Sequence, residues 1–232
     1  SAGFPLPKKV FGHGFLTKDG EKMGKTTGNI VDPYELINEF GADAVRFFFL
    51  KEISFGKDGD YSKENFINRI NSDLANNLGN LLNRTLNIVN KSFNGELEKT
   101  DIDILGLKDK TKQAIEDFES HMEKLELKEA LDSVWQLIDA TNKSFSDKAP
   151  WKMLKNDELE SAKACLYESL EILRNVTILV SSFIPETSNK LYEQLGCGKL
   201  DITNSWSDVG YGKTNGGFKV QEGKPIFPRL EK

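Results

Sequence analysis

Two lysines flank a methionine and a glycine in Lys22-Met23-Gly24-Lys25-Thr26. Ammonium groups three residues apart on a glycine-containing loop can both reach one polyphosphate, each as a point charge. The glycine lets the backbone approach anionic oxygens. Such a pair is suited to stabilising charge that develops on a departing pyrophosphate. A solvated surface turn accounts for the same five residues, so spacing alone leaves both readings open. Further on, Asn76, Asn77, Asn80, Asn83, Arg84, Asn87 and Asn90 interleave with leucines. Asparagine is a mediocre helix former, so stability alone is a poor reason for this run. Asn80 and Arg84, four apart, share a helix face. An amide pairs with base edges, and a guanidinium stacks on a base or binds phosphate. A merely solvated polar face is the alternative. Trp151 follows Pro150 between two helical stretches and is either a core plug or a platform for an unstacked base. Trp135, near Leu131, Val134 and Ile138, reads as core. Arg69 and Lys91 are candidate phosphate contacts. His13, between Gly12 and Gly14, is either a floor position near a nucleotide or a satisfied, partly buried histidine. His121 falls in a charged helix and reads as a surface residue.

These residues need elements to position them. Lys9 to Leu16 reads as a short strand, with Val10, Phe11, Phe15 and Leu16 as β formers. Lys18-Asp19-Gly20 is a turn signal, followed by a polar stretch from Lys22 to Asn29. Asp32-Pro33-Tyr34-Glu35 starts a helix that Gly41 stops after Phe40. A second helix from Ala42 to about Ile53 carries Val45, Phe47, Phe48, Phe49 and Leu50, an apolar set that predicts burial. Ser54 to Tyr61, rich in glycine and aspartate, is the candidate domain boundary. From Ser62 to Phe93 apolar residues recur every three or four positions, which predicts one long helix ended by Asn94-Gly95. Further helices are expected near 107–124, 127–148, 157–181 and 185–195, joined by short connections as in a helical bundle. The tail from Phe218 to Leu230 contains Pro225 and Pro228 and is expected to lie extended against another surface. The expected fold is mainly α: a short β/α segment over 1–60, a helical bundle over 61–215 and an extended tail over 216–232.

A length of 232 residues suits one large domain or two small ones, and 38% hydrophobic with 29% charged residues is an ordinary globular balance. No apolar run approaches the roughly 20 residues that span a bilayer. The net charge of −5 argues against strong non-specific binding of nucleic acid, though not against a local basic patch. Cys165 and Cys197 are too few for a disulfide framework or a zinc site and are expected to be inert packing in a reducing, cytoplasmic setting. The chain opens on Ser1-Ala2-Gly3 without an initiator methionine or signal peptide, so a segment of a longer protein is expected.

The segments Pro5-Leu6-Pro7-Lys8-Lys9-Val10-Phe11-Gly12-His13-Gly14-Phe15-Leu16, Asp19-Gly20, Lys22 to Asn29 and Asp32-Pro33 resemble the KMSKS region of class I aminoacyl-tRNA synthetases. Asp43-Ala44-Val45-Arg46-Phe47-Phe48-Phe49 and Phe55-Gly56-Lys57-Asp58-Gly59-Asp60-Tyr61-Ser62 continue the match. The version here is similar to methionyl-tRNA synthetases in particular, over essentially the whole chain. The resemblance implies that Lys22, Met23, Gly24, Lys25 and Thr26, with His13, bind ATP and its Mg2+, and that the loop closes during amino-acid adenylation. Lys25 then contributes most to charge stabilisation, and Lys22 assists. Gly24 and Thr26 depart from the usual serines: a hydroxyl is lost at the first position and kept at the second. The resemblance also implies that Asn80, Arg84 and Trp151, supported by Pro150, read the CAU anticodon of a tRNA. The family's HIGH-type nucleotide-binding half, methionine pocket and zinc-bearing insertion do not occur in 1–232. The implied partner is therefore an N-terminal catalytic half, without which the segment is expected to be inactive, and no metal site is expected. A non-catalytic tRNA-binding module, a helical scaffold with a solvated asparagine face, and the sister enzymes for leucine, isoleucine, valine or cysteine remain as alternatives.

Overall fold

The helix boundaries follow from their caps. The Asp32 side chain accepts a hydrogen bond from the Tyr34 N–H, and Pro33 occupies the first turn, where no backbone donor is needed. Helix α1 (Pro33–Phe40) ends at Gly41, whose φ of 85° suits a residue without Cβ. Helix α2 (Ala42–Glu52) buries Val45, Phe47 and Phe48 as its apolar face predicts. A computed structural model of the chain describes residues 3–231 other than Lys25, Thr27, Phe55 and Asn215.

Three short strands flank these helices: β1 (Leu16–Lys18), β2 (Glu21–Lys22) and β3 (Gly59–Tyr61). β1 pairs antiparallel with β2 and parallel with β3. The expected strand from Lys9 to Leu16 is corrected: ladder pairing starts only at its last residue. Val10 and Phe15 stand 87% and 80% exposed, and among the described residues no strand ladder pairs 9–14; only at Phe15 does the carbonyl accept from the Gly59 N–H of β3. The connector after Ser54 in turn ends in a strand rather than a loop. β3 is close-fitting, since a Cβ at Gly59 would fall 2.4 Å from Ile53 and one at Gly14 would fall 2.0 Å from the Lys57 carbonyl.

The long helix runs unbroken as α3 (Lys63–Arg69), a wide π-helical segment Ile70–Gly79, and α4 (Asn80–Phe93). Ser62 caps it through the Asn65 N–H, and Asn94, at φ 53°, ends it. The wide turns explain its core. Phe66, Ile70, Leu74, Leu78, Leu82 and Leu86 recur every four residues, and all are at most 1% exposed. In a plain α-helix each step of four over-rotates by about 40°, which would carry the stripe off the core. Turns closed by i→i+5 bonds hold it on one side. This is a departure from the single α-helix expected, and the strict four-residue spacing is its sequence signal.

After β4 (Glu96–Leu97) come α5 (Lys108–Glu123), α6 (Leu127–Lys148), α7 (Pro150–Lys155), α8 (Leu159–Val180) and α9 (Pro185–Gln194). The four long bundle helices fall where periodicity places them, and the short α7 opens on Pro150 ahead of the helix expected near 157–181. α8 is buried along almost its whole length and packs on α4, α5, α6, α7 and α9. α2 reaches across to the bundle: Arg46 donates to the Phe183 and Ser182 carbonyls, and Asp43 accepts from the Thr187 N–H. The molecule is mainly α. His121 departs from the surface position expected, because it is half-buried and its Nδ1 lies 2.6 Å from Glu126. Burial pushes the Cys165 and Cys197 thiols up to about 12 and about 11, which leaves both unreactive near neutral pH.

One buried acid makes stability depend on pH. Glu168 accepts hydrogen bonds from the Leu105 and Leu107 N–H groups, and burial raises its pKa from 4.5 to about 7. A raised folded-state pKa means that the folded chain holds a proton the unfolded chain releases. The contribution is therefore complete below about 4.5 and is lost as pH rises through about 7. Melting temperature is expected to fall from pH 5 to pH 8 by more in the parent than in Glu168→Gln. Parallel pH profiles for the two would contradict this.

The tail folds back on its own chain. β5 (Phe218–Lys219) pairs antiparallel with β4, and Gln221 and Lys224 donate to Gln194. Leu230 exchanges two hydrogen bonds with the Asn71 amide, at 2.9 and 2.8 Å.

Candidate functional site

The lysine loop grows out of the β1–β2 hairpin. Asp19 and Gly20 make its turn with φ 54° and 78°, and the Asp60 carboxylate accepts from the Gly20 N–H and the Thr17 hydroxyl. The Asp19 N–H donates to the Tyr61 carbonyl, so β3 clamps the hairpin from the far side. Lys22 closes β2 and is exposed, with no ion pair among the described residues. Met23 is half-buried and Thr26 exposed. The Gly24 N–H donates to the Asn29 carbonyl at 3.1 Å, and the Asn29 amide donates to the Lys18 carbonyl at 3.1 Å. The loop is thus pinned at both feet while its lysine at 22 points no charge into a partner. Lys25 lies outside the described residues. His13 is exposed, its Nδ1 is 2.8 Å from the Gly14 carbonyl, and it lines a cavity of about 190 Å³ with Leu16, Phe49, Leu50, Ile53 and Leu127. Among the described residues of the loop none lines that cavity, Lys22 included.

The second group converges more tightly. Arg84 on α4 holds its guanidinium carbon 5.0 Å from the Phe145 ring centroid and 5.4 Å from that of Trp151. The two rings lie 6.1 Å apart, and both terminal nitrogens of Arg84 sit 3.4 Å from the Ser146 hydroxyl. A cation over two aromatic faces is held in place while its N–H edge remains able to donate. Trp151 is 36% exposed, so it is no core plug. Pro150 is buried at the first position of α7 and sets the angle at which Trp151 leaves the bundle. Asn80, one turn before Arg84, is exposed, and its amide has no hydrogen-bond partner among the described residues. Its donors and acceptor are available to a ligand.

The asparagine run does not act as one stripe. Asn77 donates to Asp139 and accepts from Asn142, tying the wide segment to α6. Asn90 donates to the Gln221 carbonyl of the tail. Arg69 is committed to Glu52 at 2.6 Å and to Asp73 at 3.5 Å, so it is not a free phosphate contact, whereas Lys91 is exposed without an ion pair among the described residues. Trp135 is core as expected, 5% exposed and 4.8 Å from the Phe47 ring. Sequence reasoning missed Phe145 and Ser146. Phe145 lies on the apolar stripe of α6 and looks like any core residue; only its place beneath Arg84 sets it apart.

Two family models match the chain. Residues 1–86 match that of class I tRNA synthetases (M), and residues 97–222 match the anticodon binding domain of methionyl tRNA ligase. The chain is 44% identical to the methionine–tRNA ligase of a Nostoc species, a match that covers 100% of this chain and 45% of that protein. It is 42% identical to the methionine–tRNA ligase of Caldanaerobacter subterraneus, over 99% of this chain and 36% of that one. Among solved structures, Mycobacterium tuberculosis methionyl-tRNA synthetase in complex with methionyl-adenylate superposes with a TM-score of 0.89 and 34% identity. That match covers 98% of this chain and 45% of that one. The chain thus spans less than half the length of these relatives. With both of its parts matched in chain order and its fold shared, the chain belongs to the methionyl-tRNA synthetase family.

Proposed function

We propose that this chain supplies the lysine loop and the anticodon reader of an ATP-dependent methionine–tRNA ligase. Residues 1–60 form the end of the catalytic domain, 61–215 the helical reader and 216–232 a strap along it. The observation that carries the reading is Arg84, held over Phe145 and Trp151, with the exposed Asn80 one turn before it, whose amide has no hydrogen-bond partner among the described residues. In the complex, Trp151 stacks on an unstacked base of the CAU anticodon, while Arg84 and Asn80 pair with base edges. Their aromatic and helical supports hold them before RNA arrives, which lowers the ordering cost of binding. The lysine loop acts in a catalytic centre completed by the N-terminal half. There Lys22 and Lys25 meet the phosphates of ATP with its Mg2+, and Met23, Gly24 and Thr26 shape the loop beside them. The exposed Lys22, without an ion pair among the described residues, and the pinned feet of the loop fit that task. His13 would serve as a floor residue near the nucleotide. The working compartment is the cytoplasm, and no described helix is long and apolar enough to cross a membrane.

The direct test is Arg84→Ala, measured as equilibrium binding of stem-loop RNAs with a CAU or an altered anticodon. Losing a bidentate contact to a base is worth about 1–3 kcal/mol of discrimination. The preference for CAU is therefore expected to shrink by roughly 5- to 150-fold. An unchanged preference would rule out Arg84 as a reader and favour the scaffold.

A further inference from the structure

We propose that Asn71, through the tail it clasps, is a positioning residue for Asn80 and Arg84. The inference rests on the reading of those two residues as anticodon readers. Asn71 stands in the first wide turn and exchanges two hydrogen bonds with Leu230, donating to its carbonyl at 2.9 Å and accepting from its N–H at 2.8 Å. Ile226, buried, reaches the other end: a Cβ on Gly79 would lie 3.7 Å from its side chain. The stretch 226–230 therefore meets the wide segment Ile70–Gly79 at both its ends.

That register decides where the readers stand. Every residue that a widened turn accommodates beyond an α-turn rotates the helix downstream by about 100°. Asn80 and Arg84 lie directly after the segment, so its register sets the face on which they emerge. In the wide register Leu74, Leu78 and Leu82 stay buried, Asn77 meets Asp139 and Asn142, and Arg84 falls over Phe145 and Trp151. If the segment relaxed to plain α turns, Arg84 would swing away from both rings. Wide turns are rare and poor in intrinsic stability, so they persist only where surrounding contacts hold them. Gly79 fits the same account, because a Cβ there would fall 3.0 Å from the Leu74 carbonyl five residues back. The Asn71–Leu230 clasp is the polar contact between the tail and the start of the segment among the described residues, and neither of its hydrogen bonds involves Arg84 or Trp151.

The test is Asn71→Ala in the intact chain, with Asn71→Asp as the milder variant that keeps the acceptor and loses the donor. Discrimination between CAU and altered-anticodon stem-loops is expected to fall about tenfold in Asn71→Ala and less in Asn71→Asp. Affinity for the altered RNA is expected to stay within about twofold. Amide hydrogen exchange over 70–79 is expected to accelerate in both variants without RNA. Tyr167→Phe, which removes a hydrogen bond to Thr214 elsewhere in the bundle, serves as the control for simple destabilisation. It should lower the melting temperature and leave discrimination intact. Unchanged exchange over 70–79, or a discrimination loss in Tyr167→Phe equal to that in Asn71→Ala, overturns the proposal. Unchanged discrimination in Asn71→Ala overturns it too, and Arg84→Ala then tells which premise failed. If Arg84→Ala still loses discrimination, only the strap is wrong; if it does not, the reading of Arg84 has failed with it.

Discussion

Lys25→Ala, made in a protein that includes the nucleotide-binding half, is expected to slow methionine-dependent pyrophosphate exchange by about 10²–10³-fold. That is the usual cost of removing one preorganised group that meets charge developing in a transition state. On the proposed reading the charge at issue forms on pyrophosphate as the adenylate is made, and a lysine ammonium on a short loop would meet it without covalent chemistry. Because the interaction strengthens only as the charge develops, kcat should fall more than KM for ATP rises. Lys22→Ala is expected to have a smaller effect in the same direction. Lys22 sits on β2 and is held by the hairpin, whereas the loop proper begins only after it. Hydrogen bonds among Gly24, Asn29 and Lys18 hold the feet of the loop. An exchange rate within threefold of the parent after Lys25→Ala would remove the loop from the mechanism. Binding of an anticodon stem-loop to the same variant should be unaltered, since no described contact joins the loop to Arg84 or Trp151.

Arg174→Ala should destabilise the folded chain by about 3–5 kcal/mol, the scale for breaking a buried ion pair from one side. Arg174 and Glu171 are 3% and 0% exposed and joined by two hydrogen bonds, at 2.9 and 2.7 Å. Arg174 also donates to the carbonyls of Asp208 and Gly210, and Glu171 accepts from the Gly212 N–H. The pair therefore nails the irregular stretch after α9 to the middle of α8. Removing the guanidinium strands a carboxylate in the core and frees two loop carbonyls together. With typical stabilities of about 5–15 kcal/mol, a large share of the total would be lost. Urea unfolding monitored by far-ultraviolet circular dichroism measures it. The double variant Arg174→Met, Glu171→Leu should be less damaging than Arg174→Ala alone, because no charge is then left buried. If the double variant is the worse of the two, the loss comes from loop anchoring and not from the stranded charge.

How much of this was legible beforehand differs by feature. Asp32-Pro33, Gly41, Ser62 and Asn94-Gly95 place helix ends correctly, because a cap acts on backbone groups within one turn of itself. Lys22 to Thr26 and the Asn80–Arg84 pair were visible as spacings, and the resemblance supplied a use for them. Strand pairing begins only at Leu16 although β formers run from Val10, because β propensity says nothing about whether a neighbour exists. Spacing makes the asparagine run look like one face, although Asn77 and Asn90 serve packing partners 62 and 131 residues away.

Sequence by itself determined the local items: the helices and their stops, the hydrophobic stripe, the lysine loop and the membership of a synthetase family. Tertiary structure alone decided which side chains meet. Phe145 became the seat of Arg84, the tail turned out to strap its own long helix, and the wide turns gave α4 its orientation. The division has a physical cause. Caps and propensities act over three or four residues and are written in the chain, while the pairing of distant faces is settled by packing the whole core at once.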